Sequence, residues 1–225
     1  MSNFINDDTV YMMHLKGLEN ILIDMDGVLL DTAYDNYFWQ KHIPSKYAKL
    51  NSLSEDQAIK ITHTLFNYKK GSKDWYDLDY WSNMLGIDIE QEKLSKDMLD
   101  RIQLKEGALA FLENNYQNKN LFLVTNAHIK TLRIKMKKFP LTKYFKMVIC
   151  SHELKHVKEE IAFWFILRNR LGIDYKKTLL IEDTIDNIKS AYHAGLKSVL
   201  IGDSPANFKD TPSFEDLSSF SPSLK

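Results

Sequence analysis

Five short runs of consecutive apolar residues punctuate the chain, at residues 21–23, 121–124, 147–150, 178–181 and 198–201. Their apolar character is continuous rather than alternating, the pattern of strands covered on both faces of a parallel sheet. Helical periodicity fills the intervals between them. Residues 106–116 precede the second run, and 129–139 follow it and stop at Pro140. Residues 159–171 end at Gly172 and 186–194 at Gly195, each glycine placed as a helix terminator. Repeated strand, helix, strand units predict right-handed crossovers and an α/β fold, a doubly wound parallel sheet with ligands gathered outside the carboxyl ends of its strands.

The rhythm breaks between residues 32 and 103, which carry helix signals and aromatics but no strand pattern. This stretch reads as a helical insertion after the first strand. Ser54-Glu55-Asp56-Gln57 has capping-box form and opens a helix over 58–66, and 91–102 has a further helical pattern, with Gly71-Ser72-Lys73 as a loop between them. The expected organisation is therefore a core of residues 18–31 and 104–203, the insertion at 32–103, an N-terminal extension at 1–17 and a tail at 204–225. Pro205, Pro212, Pro222 and many serines predict that this tail is irregular.

Composition narrows the partners. The 225 residues include 30 basic and 30 acidic side chains, so no global field draws in nucleic acid or an anionic membrane, and an anionic ligand must be held locally. Cys150 is the sole cysteine, which excludes an intrachain disulfide and a cysteine-built zinc site and fits a reducing compartment. Residues 1–17 hold Asp7, Asp8, His14 and Lys16 and no long apolar stretch, so a soluble, cytoplasmic protein is expected.

The first apolar run ends in Asp24-Met25-Asp26-Gly27. In an extended chain Asp24 and Asp26 share a face, and two acids held together need a cation. An all-oxygen site of this kind suits Mg²⁺, while Gly27 supplies a sharp backbone change. Thr125-Asn126 follows the second run with a hydroxyl and an amide able to bond phosphoryl oxygens, Lys158 lies beyond the third at the expected opening of a helix, and Glu182-Asp183 follows the fourth. Every one of these groups falls on the side of the sheet where ligands collect. A competing pattern, His152-Glu153-Leu154-Lys155-His156, matches a zinc-protease motif, but it begins directly after a strand, where the two histidines are not expected one turn apart on a long helix.

The motifs Asp24-Met25-Asp26-Gly27, Thr125-Asn126, Lys158 and Glu182-Asp183 resemble those of the haloacid dehalogenase (HAD) superfamily, and the insertion sits where that superfamily carries its helical C1 cap. The resemblance implies a HAD-like Rossmannoid core, Asp24 as nucleophile, Asp26 as general acid and base, and Thr125 and Lys158 as holders of the transferring phosphoryl group. It also implies Mg²⁺ held by Asp24, Asp183 and the Asp26 backbone carbonyl, with Glu182 acting through water. Residues 35–41 (Asp-Asn-Tyr-Phe-Trp-Gln-Lys), 75–81 (Trp-Tyr-Asp-Leu-Asp-Tyr-Trp) and 125–128 (Thr-Asn-Ala-His) are similar to the bacterial GMP/IMP nucleotidase family of that superfamily. The implied substrate is a small phosphate ester, a purine nucleoside 5′-monophosphate, with Asn36 and Lys41 placed to read the base. The alternatives are a sugar-phosphate phosphatase or β-phosphoglucomutase-like enzyme, and a non-catalytic nucleotide- or partner-binding protein.

Overall fold

The computed structural model describes residues 17–202, 208–209 and 211–220. Its sheet has strands β1 (Asn20–Ile23), β2 (Asn120–Thr125), β3 (Met147–Cys150), β4 (Thr178–Glu182), β5 (Lys197–Ile201) and β6 (Ser213–Phe214), in the spatial order β3-β2-β1-β4-β5-β6. All pairings are parallel. β1 is central and wholly buried, with Ile23 in register with Leu123 of β2 and Ile181 of β4. The chain winds outward from β1 through β2 to β3, then crosses back to β4 on the other side of β1. That reversal opens a crevice at the carboxyl end of β1, so the residues that follow β1, β2 and β4 converge there.

Helices cover both faces, which is why the middle of each long strand is apolar. Between β1 and β2 lie α1 (Ala33–Tyr37), a π-helical turn (Phe38–His42), α2 (Ile43–Asn51), α3 (Glu55–Lys69), α4 (Lys73–Tyr76), α5 (Leu78–Leu85), α6 (Ile89–Lys93), α7 (Lys96–Asp100) and α8 (Ala108–Asn115). The capping box forms as the sequence indicates: Ser54 Oγ accepts from the Gln57 amide, and the Gln57 side chain accepts from the Ser54 amide at 3.0 Å. The helix it opens runs on to Lys69. Trp81 and Phe66 pack edge to face at 4.9 Å, and Trp39 joins Phe66 at 5.3 Å, giving these helices an aromatic core continuous with that of the sheet.

Beyond β2 come α9 (Ile129–Lys138), α10 (Ser151–Leu154), α11 (Ile161–Leu171), α12 (Ile185–His193) and α13 (Leu217–Phe220). No helix among the described residues is long and apolar enough to cross a membrane.

Two sequence expectations need correction. The single helix expected over 91–102 is two short ones, α6 and α7, because Ser95 adopts an extended conformation and starts a new helix. The tail is not irregular throughout: β6 extends the sheet, and Leu217 and Phe220 of α13 are fully buried. Phe220 stacks on Phe111 of α8 at 6.1 Å. Gly107 makes that contact possible, since a Cβ there would lie 2.3 Å from the Ser218 amide nitrogen. Three apolar residues, Phe214, Leu217 and Phe220, outweigh the proline and serine content that argued for disorder. Of the expected N-terminal extension only Gly17 falls within the described residues.

Candidate active site

Asp24 follows the last residue of β1 and is 5% exposed. Its Oδ1 accepts from Lys158 Nζ at 2.5 Å, and the same ammonium donates to Glu182 Oε2 at 2.6 Å. Glu182 ends β4 and is fully buried, and its second oxygen accepts the amides of Asp183 and Thr184. Asp24, Glu182 and Asp183 each bring an oxygen within 4.8 Å of the others.

Burial pushes the Asp24 carboxyl up to about 7, the Glu182 charge adding to the rise and Lys158 opposing it. Glu182 rises to about 7 through burial against the pull of Lys158, and Asp183 to about 6 through burial and the Asp24 charge. Burial would strip the proton from Lys158, but the Asp24 and Glu182 carboxylates hold its pKa above the ordinary lysine value. Three carboxylates against one ammonium leave negative charge unbalanced, and the donors are all oxygen, so the residues fit a Mg²⁺ ion.

Gly27 serves this cluster directly. Its φ of +85° suits glycine, and a Cβ there would lie 1.9 Å from Asp183 Oδ2. The missing side chain is what lets Asp183 approach the loop after β1.

Asp26 is partly exposed to the cleft and accepts from Lys135 Nζ at 2.6 Å. Lys135 also pairs with Asp35 of α1, and Asp35 accepts from Lys93 Nζ at 2.8 Å. Both lysines are buried, 1% exposed. Burial raises the pKa of Asp26, with Lys135 pulling the other way. Burial also acts upward on Asp35, but Lys135 and Lys93 overcome it and hold that carboxyl below its usual range.

The remaining sequence candidates divide. Thr125 ends β2, buried, its hydroxyl oxygen accepting the Ala127 amide and its proton left for a ligand. Asn126 lines the cleft, yet its side chain is committed: Oδ1 accepts from the Lys158 amide at 3.0 Å and Nδ2 donates to Glu159 at 2.8 Å. It therefore anchors the loop bearing Lys158, with one of its two amide hydrogens engaged by Glu159. Lys158 does not open a helix, because α11 begins at Ile161; its carbonyl is held by Trp164 Nε1 at 2.8 Å. Asn36 lines the cleft, but Lys41 does not: it lies in a separate surface depression with Lys46 and Lys49, so it is not brought to this site.

Residues 152–156 do not form a zinc-protease helix. α10 ends after one turn at Lys155, which is left-handed (φ 61°), and His156 pairs with Glu160.

Sequence reasoning missed Lys135, Lys93, Glu159 and Thr184. A lysine one residue after Ile134 and three after Leu132, on the buried stripe of a helix, signals a buried ion pair, because lysine is seldom buried unpaired. Glu159, which joins Tyr76 of the insertion (2.7 Å) to Asn126, carried no such signal.

Most of the acidic and phosphate-facing groups line one cavity of about 690 Å³, although Lys135 and Glu159 are not among its lining residues. Asp24, Asp183, Thr125 and Lys158 form one end, and Trp39, Phe66, Trp75 and Trp81 line another part. The sequence profile described as haloacid dehalogenase-like hydrolase matches residues 21–201. The chain is 30% identical over 216 residues to the GMP/IMP nucleotidase YrfG of Escherichia coli K12, covering 93% of this chain and 96% of that protein. It is 20% identical over 200 residues to a phosphorylated carbohydrates phosphatase of Thermotoga maritima, covering 81% and 84%. Among solved structures, a HAD phosphatase from Thermococcus onnurineus superposes with a TM-score of 0.79 at 21% identity, over 92% of this chain and 98% of that one.

Proposed function

The chain belongs to the haloacid dehalogenase-like hydrolase family, and from that premise we propose that it is a Mg²⁺-dependent phosphatase hydrolysing purine nucleoside 5′-monophosphates, GMP and IMP, with residues 32–103 acting as a cap over the core. The observation that carries this reading is the single cleft in which the Asp24–Lys158 pair and a wall of indole rings share one volume. Its 690 Å³ falls within the range of about 300–1,000 Å³ usual for small-molecule sites. A phosphate at one end and a flat base against the indoles uses both parts, and 30% identity to a GMP/IMP nucleotidase supports the same class.

In this mechanism Asp24 attacks phosphorus in line and forms an aspartyl phosphate. Lys158 and the Thr125 hydroxyl hold the equatorial oxygens, where the transition-state charge is spread. Asp26 protonates the leaving ribose oxygen and later takes a proton from the attacking water, a role commonly worth about 10²- to 10⁴-fold in rate. Its raised pKa favours the protonated form that the first of these steps requires. Asp24, Asp183 and Glu182 would hold Mg²⁺, which when bound would screen the anionic nucleophile from the anionic phosphate. Glu182 has a second duty on this reading, since it fixes Lys158.

The test is phosphate release from GMP, IMP, AMP, pyrimidine monophosphates and sugar phosphates, with Mg²⁺ and with chelator. Mg²⁺-dependent turnover led by GMP and IMP is expected. A lead for sugar phosphates, the substrate class named for the T. maritima relative, would overturn the base reading and leave the phosphoryl chemistry standing.

A further inference from the structure

Away from the carboxylate cluster, three side chains from three separate segments converge: Asp77 from the turn between α4 and α5, His128 at the start of α9 and His152 in α10. One ligand atom of each lies within 4.8 Å of the others. His128 Nε2 is 3.8 Å from Asp77 Oδ1, and His152 Nε2 is 3.8 Å from Asp77 Oδ2. Those separations are too long for hydrogen bonds. They lie about half an ångström outside the edge of roughly 3.3 Å that two ligands span on a tetrahedral ion with bonds near 2.0 Å. The two imidazoles meet edge to face, centroids 4.8 Å apart.

The surroundings decide which nitrogen of His152 is free. Cys150 Sγ donates to the Ala127 carbonyl at 2.9 Å, so its thiol proton is already committed. The sulfur can then only accept from His152 Nδ1, 3.9 Å away. The ring proton is therefore placed on Nδ1, and the Nε2 lone pair points at a carboxylate. His152 Nε2 is buried without a hydrogen-bond partner among the described residues. A lone pair facing a carboxylate oxygen is repulsive unless a cation stands between them. Asp77 Oδ1 already caps α5 through the amides of Asp79 and Tyr80, which fixes the carboxylate in place.

We propose that Asp77, His128 and His152 form a second metal site, selective for a Zn²⁺-class transition ion over Mg²⁺, that ties the helical insertion to the loops following β2 and β3. Two imidazoles and one carboxylate make the nitrogen-rich donor set that zinc accepts with three protein ligands and that Mg²⁺ disfavours. His128 also lines the cleft, so the ion sits at its margin and braces it when bound. The histidine that the zinc-protease pattern singled out thus takes part in a metal site with partners other than that pattern names.

The test titrates Co²⁺ into the full chain under excess Mg²⁺, following visible absorption, with Zn²⁺ then added as competitor. The expected result is one Co²⁺ per chain with the intense absorption of a four-coordinate site, displaced by Zn²⁺. Affinity should fall at least tenfold in His152→Ala and in Asp77→Asn, and be unchanged in Asp183→Asn. Asp77→Asn keeps an oxygen to cap α5, so it reports on the site even if His152→Ala folds poorly. Zn²⁺ should also raise the thermal midpoint of the parent protein and not that of Asp77→Asn. Co²⁺ uptake that is suppressed by Mg²⁺ or by Asp183→Asn, or that survives Asp77→Asn at full affinity, would place the ion in the carboxylate cluster or on the surface and overturn the proposal.

Discussion

Removing divalent cations should make the stability of this protein fall as pH rises, the reverse of the usual acid denaturation. In the unfolded chain the Asp24 carboxyl titrates at its ordinary 3.8, and in the folded chain at about 7. Between those values the folded state carries a proton that the unfolded state lacks, so the slope of unfolding free energy against pH is negative. The loss begins near pH 4 and is complete above pH 7. The gap between the folded and unfolded pKa corresponds to about 4 kcal/mol for Asp24 taken alone. Glu182 and Asp183 move in the same direction, and because the acids share one ammonium their protons leave in steps belonging to the cluster, so the individual contributions do not simply add. Mg²⁺ needs the ionised carboxylates and stabilises in proportion to RT ln(1 + [Mg²⁺]/Kd), so its effect is large at pH 8 and small at pH 5. Urea unfolding midpoints at pH 5, 6, 7 and 8, in chelator and in excess Mg²⁺, measure both quantities. Asp24→Asn should flatten the chelator series by about one proton's worth of slope. A chelator series that is flat or rising from pH 5 to 8, or a Mg²⁺ increment equal at both ends, would refute the reasoning.

Other perturbations follow from the same geometry. Asp24→Asn should release no phosphate from any ester while keeping the parent circular dichroism spectrum; near-normal turnover would remove Asp24 from the nucleophile role. Gly27→Ala should cost at least about 1 kcal/mol for the positive φ. It should also raise the Mg²⁺ concentration for half-maximal activity at least tenfold, since Asp183 must give way to the new methyl group. Lys135→Met removes the ammonium shared by Asp26 and Asp35, which are partly exposed to the cleft, and with Lys93 still paired to Asp35 a loss of about 1–3 kcal/mol in denaturant unfolding is expected. Asn36→Ala should raise KM for GMP more than for a small aryl phosphate, whereas Lys41→Ala should leave that ratio unchanged because its side chain lies elsewhere.

The strand pattern made the parallel sheet legible, because a strand covered on both faces keeps a continuous apolar middle with its polar residues near the ends. The chemistry at the ends of β1, β2 and β4 was legible for a related reason: in a doubly wound sheet the residue after each strand is placed by the strand itself. What the sequence hid depends on contacts between distant segments. Lys41 is one residue beyond Gln40, which does line the cleft, but in this π-helical stretch a single step turns the side chain by about a quarter of a turn, away from the site. Asn126 was legible as a polar residue at a strand end, but not as the anchor of Lys158, because that duty depends on a loop 32 residues away. The tail misled through composition, which measures average solubility and is blind to three well-placed apolar side chains.

The chain of charges Asp26, Lys135, Asp35 and Lys93 joins the catalytic loop to the helical insertion, and its energetics constrain how the cleft can open. Asp26 and Lys135 belong to the sheet side, after β1 and on α9, while Asp35 and Lys93 belong to α1 and α6 of the insertion. Within this chain of charges, separating the two groups would break only the Lys135–Asp35 link, leaving one carboxylate paired with one ammonium on each side, while the links of Lys130 to Asp79 and Glu90 and of Tyr76 to Glu159 would part as well. Neither half is then left with an unpaired buried charge, the situation that makes breaking such networks costly. Lys93 keeps further support on its own side, with its ammonium 4.2 Å from the Phe38 ring centroid and 4.6 Å from that of Tyr34. The network therefore divides at low cost along the boundary between insertion and sheet and at high cost anywhere else. With the insertion seated as it is, Asp35 lies close enough for its negative charge to favour the protonated form of Asp26 that the proposed first step needs.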